Sequence, residues 1–354
     1  MYFIIGAIIV LFILIFIMIY MYKKTSILKV IDKINNKYIR FVIRIILILI
    51  PFIIFGFVNG VVIVFHFAIF FLLFDLINKF VKNKTNLLDY IAIIITIIYL
   101  SVALYQGTHI YKTVYNVETT KDIETNNFKI IQISDSHTGT TFDGNKFKEI
   151  ISNMEEADIA VITGDLVDDN TTHEDMVLTC EALSLFKVKY GIYFVYGNHD
   201  KGYFGINFKD EDLRKELTKN NIIILEDDIV NITDKIVLIG RKDASDNLRK
   251  SIDELTKEID ESKYIIDLNH QPNDYDNESK SKVDLVLSGH SHGGQLFPLG
   301  EIGVLTKAND EYEGIHNRNN TTFIVNTGIS SWEILFKTGT KSEYTIINIR
   351  SKNE

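Results

Sequence analysis

Cysteine is almost missing from this sequence: Cys180 is the only one in 354 residues. No intrachain disulfide can form, and cysteine usage says nothing about the redox compartment. Positive charge is scarce where nucleic acid would need it. Residues 1–115 carry a net charge of +8, whereas residues 116–354 carry −17. A region that acidic lacks the Lys and Arg needed to neutralise a phosphate backbone, so no nucleic-acid partner is expected. It can still process phosphates where bound cations supply positive charge locally.

Charge is also absent from long stretches near the N-terminus. Residues 2–20, 45–58, 61–74 and 90–105 are almost wholly apolar, which predicts four membrane helices and a transmembrane anchor domain over residues 1–115. Apart from His66, no ionisable residue lies well inside an apolar run, which favours an anchor in the lipid bilayer over a channel. The first run has no basic residues before it and no small-residue cleavage site after it, so it reads as a retained signal anchor. Only Asn59-Gly60 separates the second run from the third, which predicts a tight helical hairpin. Lys23, Lys24, Lys29, Lys33, Lys37, Arg40 and Arg44 form one basic segment, and Lys79, Lys82 and Lys84 another. Both are expected to face the cytoplasm. Four crossings then make this a multi-pass protein of the cell membrane, with everything after residue 105 on the extracytoplasmic side.

From residue 128 the pattern changes to short β-branched runs alternating with amphipathic stretches. Strands are expected at 128–134, 158–163, 191–196, 222–225, 235–240, 264–269, 283–288, 322–326 and 344–349. Helices are expected at 145–156, 173–186, 210–220 and 246–261. The alternation implies an α/β domain over residues 116–354, with two sheets.

Metal-ligand residue types cluster where those strands finish. Asp135-Ser-His137 follows the first strand, Gly164-Asp165-Leu-Val-Asp168 the second and Gly197-Asn198-His199-Asp200 the third. His270-Gln-Pro272 follows the sixth, and Gly289-His290-Ser-His292-Gly-Gly-Gln295 the seventh. Five of the nine histidines lie in these loops. Carboxyl ends of strands are where crevices form in α/β sheets, so loops spanning over 150 residues of sequence can converge there. Singly, Asp-x-His or Gly-Asp is an ordinary turn as readily as a site. In this order, each after a hydrophobic strand, a purely structural origin is remote.

The series resembles the calcineurin-like metallophosphoesterase superfamily, whose pattern is D-x-H, G-D-x-x-D, G-N-H-D/E, H and G-H-x-H. The extended forms Asn269-His-Gln-Pro272 and Gly289-His-Ser-His-Gly-Gly-Gln295 look most like the bacterial membrane-associated YkuE/YaeI-like branch. The resemblance covers residue 129 to the C-terminus and implies a four-layer α-β-β-α sandwich. Carried over by motif, Asp135, His137 and His292 would hold one metal and Asn198, His270 and His290 the other, with Asp165 bridging. His199 would act on the leaving group or the phosphoryl charge without ligating. Asp200 is given a catalytic supporting role, orienting His199, and Asp168 a supporting one. Ser136 departs from the apolar or small residue usual between the first two ligands.

Carboxylate, imidazole and amide ligands without thiolate suit two divalent ions such as Mn, Fe or Zn and do not choose among them. Such a pair would make a metal-activated hydroxide the nucleophile, with no covalent enzyme intermediate. The expected function is hydrolysis of a phosphomonoester or phosphodiester, with a lipid- or envelope-linked substrate favoured by the anchor. Tyr203-Phe204 and Phe297-Pro298-Leu299 adjoin the site and offer either a lipid-facing rim or ordinary packing. Two rival readings are a non-catalytic sensor that keeps the fold, and a transport or receptor module regulated by the phosphoesterase domain.

Overall fold

The computed structural model describes residues 2–82, 85–202, 205 and 207–352. Tyr203, Phe204 and Lys84 lie outside the described residues. The chain divides into two units, Met1–Leu104 and Tyr105–Glu354.

In the first unit the apolar runs form helices Tyr2–Lys24, Lys37–Val81 and Leu87–Thr108. The long one is interrupted at Gly56, whose φ of 78° and ψ of 178° belong to a region open essentially to glycine alone. There the chain doubles back, since Ile48 packs with Val64 and Ala68, which a straight helix would hold about 24 and about 30 Å away. The hairpin foreseen between the second and third runs therefore turns at Gly56, ahead of Asn59-Gly60. Its arms, residues 37–55 and 57–81, are about 28 and about 37 Å long. Among the described residues, Lys37–Val81 and Leu87–Thr108 are long and apolar enough to cross a membrane by length and composition. Lys24, at the end of the first helix, pairs with Asp75 at 2.5 Å and Asp89 at 2.7 Å, and the Tyr20 hydroxyl donates to Asp75 at 2.7 Å. The end of the first helix, the end of the second and the start of the third thus meet at one level.

The second unit contains two six-stranded mixed sheets. One is ordered β1 (Ile110–Thr119), β12 (Ser342–Ser351), β2 (Asn127–Ile133), β3 (Ile159–Thr163), β4 (Ile192–Val195), β5 (Ile222–Ile224). The other runs β10 (Gly314–Arg318), β11 (Thr321–Val325), β9 (Leu285–Ser288), β8 (Tyr264–Leu268), β7 (Ile236–Gly240), β6 (Asp228–Asn231). Strands β2 to β5 are parallel to one another, as are β7, β8, β9 and β11.

Period-two alternation splits each strand between two cores. Phe128 and Ile130 of β2, Ile159 and Val161 of β3, and Tyr193 and Val195 of β4 face Ile236, Leu238, Ile266, Leu268, Leu285 and Leu287 in the core between the sheets. The alternate residues Ile131, Ile133, Ala160, Ile162 and Phe194 face helices Gly144–Ser152, His173–Leu183 and Asp210–Lys219 through Phe147, Met176, Cys180, Leu213 and Leu217. On the far side Val237, Ile265, Val286 and Phe323 pack against Ile252, Leu255 and Tyr275 of two shorter helices. The layers are α-β-β-α.

All nine expected strands are present, and the structure adds β1, β6 and β10. The helix expected over 246–261 is reduced to Ile252–Thr256, because Asp246 and Arg249 close a turn before Ser251 caps the helix through Glu254. Strand β1 begins at Ile110, with His109 alone between it and helix Leu87–Thr108.

Candidate metal centre

Each ligand loop leaves the carboxyl end of a parallel strand. Strands β2, β3 and β4 are neighbours in one sheet and β8 and β9 in the other, and stacking the sheets brings the five ends together. The loops turn sharply there: Asp135, His137, Asp165, His290 and His292 all have φ between 37° and 69°. Non-glycine residues hold that conformation only when their surroundings impose it, at a cost of about 1–3 kcal/mol each, and such strain concentrates at functional sites.

Two clusters result. The ligand atoms of Asp135, His137 and His292 lie within 4.8 Å of one another, and so do those of Asp165, His270 and His290. His290 is half-buried and the other five are buried. The Asp165 carboxylate stands between the clusters, with Oδ2 at 3.1 Å from His270 Nε2 and 3.9 Å from His137 Nε2. Its Oδ1 accepts from the His199 backbone N–H at 2.9 Å.

The residues fit metal ions, and the hydrogen-bond pattern gives the reason. His270 Nδ1 lies 2.7 Å from the Thr163 carbonyl, which only accepts, so that nitrogen carries the hydrogen. In the neutral ring Nε2 is then a lone pair facing the Asp165 carboxylate, an arrangement that needs a cation. Burial works against a protonated His270, but Asp165 outweighs it and pushes the imidazole up to about 10. His137 repeats the theme: Nδ1 is 3.2 Å from Asp168 Oδ2, and Nε2 faces His292 Nε2 at 3.1 Å. The side-chain oxygen of Asn198 is buried with no hydrogen-bond partner. Burial pushes His290 down to about 4 and His292 well below its ordinary range, so both present lone pairs near neutral pH. Burial also disfavours charge on Asp165, yet His270 and His137 hold its carboxyl well below the usual range.

The remaining expected residues are placed as follows. His199 is buried, its ring 4.9 Å from that of His137 and 5.1 Å from that of Trp332. Asp168 stands behind His137, consistent with a carboxylate that fixes the tautomer of a ligand. Asp168→Asn is expected to weaken metal binding by about 10–100-fold, measured by metal titration followed by calorimetry. Asp200 is not arranged as the His199-orienting group foreseen. Its oxygens accept from the backbone N–H groups of Gly197, Asp165 and Leu166 at 2.8 Å and of Val167 at 3.1 Å, locking two ligand loops together. Ser136 donates to the Leu166 carbonyl at 2.6 Å, which ties the loop after β2 to the loop after β3.

A cavity of about 500 Å³ opens onto Asp165, Asn198, His199, His290, His292 and Trp332. Trp332 was missed from the sequence, although it is the chain's one tryptophan and follows another strand end, β11. A larger hollow of about 810 Å³ lies elsewhere, but no histidine lines it, and two of its five lysines, Lys121 and Lys352, are paired with Asp284 and Glu118. Size therefore does not locate the chemistry.

The sequence matches the calcineurin-like phosphoesterase family over residues 128–294. An uncharacterised metallophosphoesterase of Aquifex aeolicus is 34% identical over 191 residues, covering 52% of this chain and 71% of that protein. The uncharacterised metallophosphoesterase YkuE of Bacillus subtilis is 26% identical over 233 residues, covering 64% and 80%. A Danio rerio protein named as a transmembrane protein with metallophosphoesterase domain is 27% identical over 246 residues, covering 64% and 54%. This chain belongs to the calcineurin-like metallophosphoesterases, metal-dependent phosphoesterases, as the order of its motifs implied.

Proposed function

We propose that this protein is a membrane-anchored phosphoesterase that uses two divalent ions to hydrolyse a phosphomonoester or phosphodiester, with a lipid- or envelope-linked substrate. The observation that carries this reading is the Asp165 carboxylate, which belongs to one three-residue ligand cluster and comes within 3.9 Å of His137 in the other. In this reading Asp135, His137 and His292 would hold one ion and Asn198, His270 and His290 the other, with Asp165 shared by both. Bound divalent ions supply Lewis acidity at the phosphoryl oxygens and lower the pKa of water at the site. The chain's own residues do the rest. Thr163 and Asp168 fix the tautomers of His270 and His137, and Asp200 holds the two loops in register. His199, kept below its ordinary pKa by burial, offers a neutral N–H to a phosphoryl or leaving oxygen.

Membrane anchorage is supported by the two long apolar helices and by the transmembrane relative. Counting the two hairpin arms separately and adding the first helix gives four crossings. The Lys24–Asp75–Asp89 pairing supports placing both basic segments on one face, the cytoplasmic one. In this reading helix Leu87–Thr108 leads from that face to β1, and the catalytic domain lies on the extracytoplasmic side.

The test uses the full chain in detergent with bis-p-nitrophenyl phosphate. Turnover is expected with Mn, lost on chelation and restored by Mn. Absence of turnover with Mn, Fe and Zn alike would favour the non-catalytic sensor. Comparing vesicle-borne with water-soluble phosphodiesters then addresses the substrate.

A further inference from the structure

Four large apolar side chains stand exposed in nine residues beside the metal centre: Phe297 at 62%, Leu299 at 52%, Ile302 at 45% and Leu305 at 83%. Elsewhere among the described residues from Tyr105 onward, no stretch of nine residues holds more than two such side chains, and Leu185, Leu248 and Ile315 stand singly. Single exposures are ordinary on any protein surface, whereas a cluster marks a contact. Leu299, Ile302 and Leu305 recur every three residues, so they share one side of helix Leu299–Leu305. The opposite side is pinned: a Cβ on Gly300 would come within 2.5–2.8 Å of the Tyr312 ring, a closeness only glycine allows.

The segment is also tied to the site. It continues directly from the turn His292–Gly294. Gln295 Nε2 donates to the carbonyl of Trp332 at 3.2 Å, and the Phe297 N–H to Thr338 Oγ1 at 2.8 Å. Trp332 in turn lines the cavity beside His199.

We propose that the face formed by Phe297, Leu299, Ile302 and Leu305 docks into the boundary between headgroups and acyl chains of the bilayer, presenting the metal centre to phosphoester groups at the membrane surface. The inference rests on the membrane-anchored reading above. The occupant follows from the chain itself. Helix Leu87–Thr108, long and apolar enough to cross a membrane, is followed by β1 after a single residue, so the bilayer is the apolar surface that this domain meets at high effective concentration. An apolar side set on a short helix with polar neighbours such as Glu301 and Lys307 is the pattern of a segment lying in that boundary.

Cys180 is buried, so added cysteines can be labelled selectively, with the labelled unsubstituted chain as blank. The full chain is reconstituted into phosphatidylethanolamine–phosphatidylglycerol vesicles carrying nitroxide near the acyl-chain top. An environment-sensitive dye is placed at Leu305→Cys or, in the hollow beside Lys282, at Lys280→Cys. The label at 305 should be quenched at least about two-fold more than the label at 280, as a depth of roughly 5–10 Å requires. Equal quenching at both positions overturns the docking face, as does failure of the protein to float with the vesicles. Turnover of bis-p-nitrophenyl phosphate by the same preparations is read separately. Its loss in the unsubstituted chain defeats the phosphoesterase reading, and its retention with equal quenching defeats docking alone.

Discussion

Asp165→Asn should lower turnover on the order of 10³-fold or more and leave fewer than two equivalents of metal, a larger loss than any single histidine substitution causes. The substitution hardly changes volume, and an amide oxygen can still accept from the His199 N–H. What disappears is a negative charge, buried between two clusters that would each hold a dication. Without it the repulsion between two bound dications would be offset far less, and they would acidify water at the site less effectively. Elemental analysis of the purified variant beside steady-state kinetics provides the check. Two full equivalents with normal turnover would show that Asp165 does not bridge.

His199→Ala should behave in the opposite way, keeping both equivalents while turnover falls by about 10²–10⁴-fold. Its ring stands against His137 and Trp332 at the cavity wall, outside the two ligand clusters. The contact it makes to Asp165 comes from its backbone N–H, which alanine retains. Metal retention with slowed turnover separates a group acting on substrate from one holding an ion. Loss of an equivalent would mean that His199 is a ligand. Assaying esters whose leaving groups differ in pKa sharpens the result: if the variant's deficit shrinks as the leaving group becomes more acidic, His199 assists departure.

The central strands were legible because they are buried on both faces and read as apolar runs rich in β-branched residues, as at Ile159–Thr163 and Ile236–Gly240. The strands that escaped notice are all at sheet edges. Residues Asp228–Asn231 and Gly314–Arg318 are largely exposed and have no apolar run to announce them. Strand Ile110–Thr119 follows an apolar helix almost without a break and alternates polar with apolar residues, so its start is masked. The direction of the Asp200 side chain is hidden for a related reason. Adjacency to His199 suggested a partnership, but a turn decides which way each side chain points, and this one aims the carboxylate at the backbone N–H groups of two loops.

By itself the sequence determined the kinds of element and their chemistry. Uninterrupted apolar runs dictate helices, β-branched runs dictate buried strands, and a glycine-flanked acid, amide or imidazole after a strand marks a ligand loop. Those signals are local, set by neighbours within a few residues. Tertiary structure decided what depends on distant partners: that β2 and β9, more than 150 residues apart, end side by side. It also placed the Asp165 carboxylate between two clusters and Trp332 against His199, and put the hairpin's reversal at Gly56. Each of these is fixed by sheet stacking or helix packing, where many weak contacts between remote segments act together and no short stretch of sequence records the outcome.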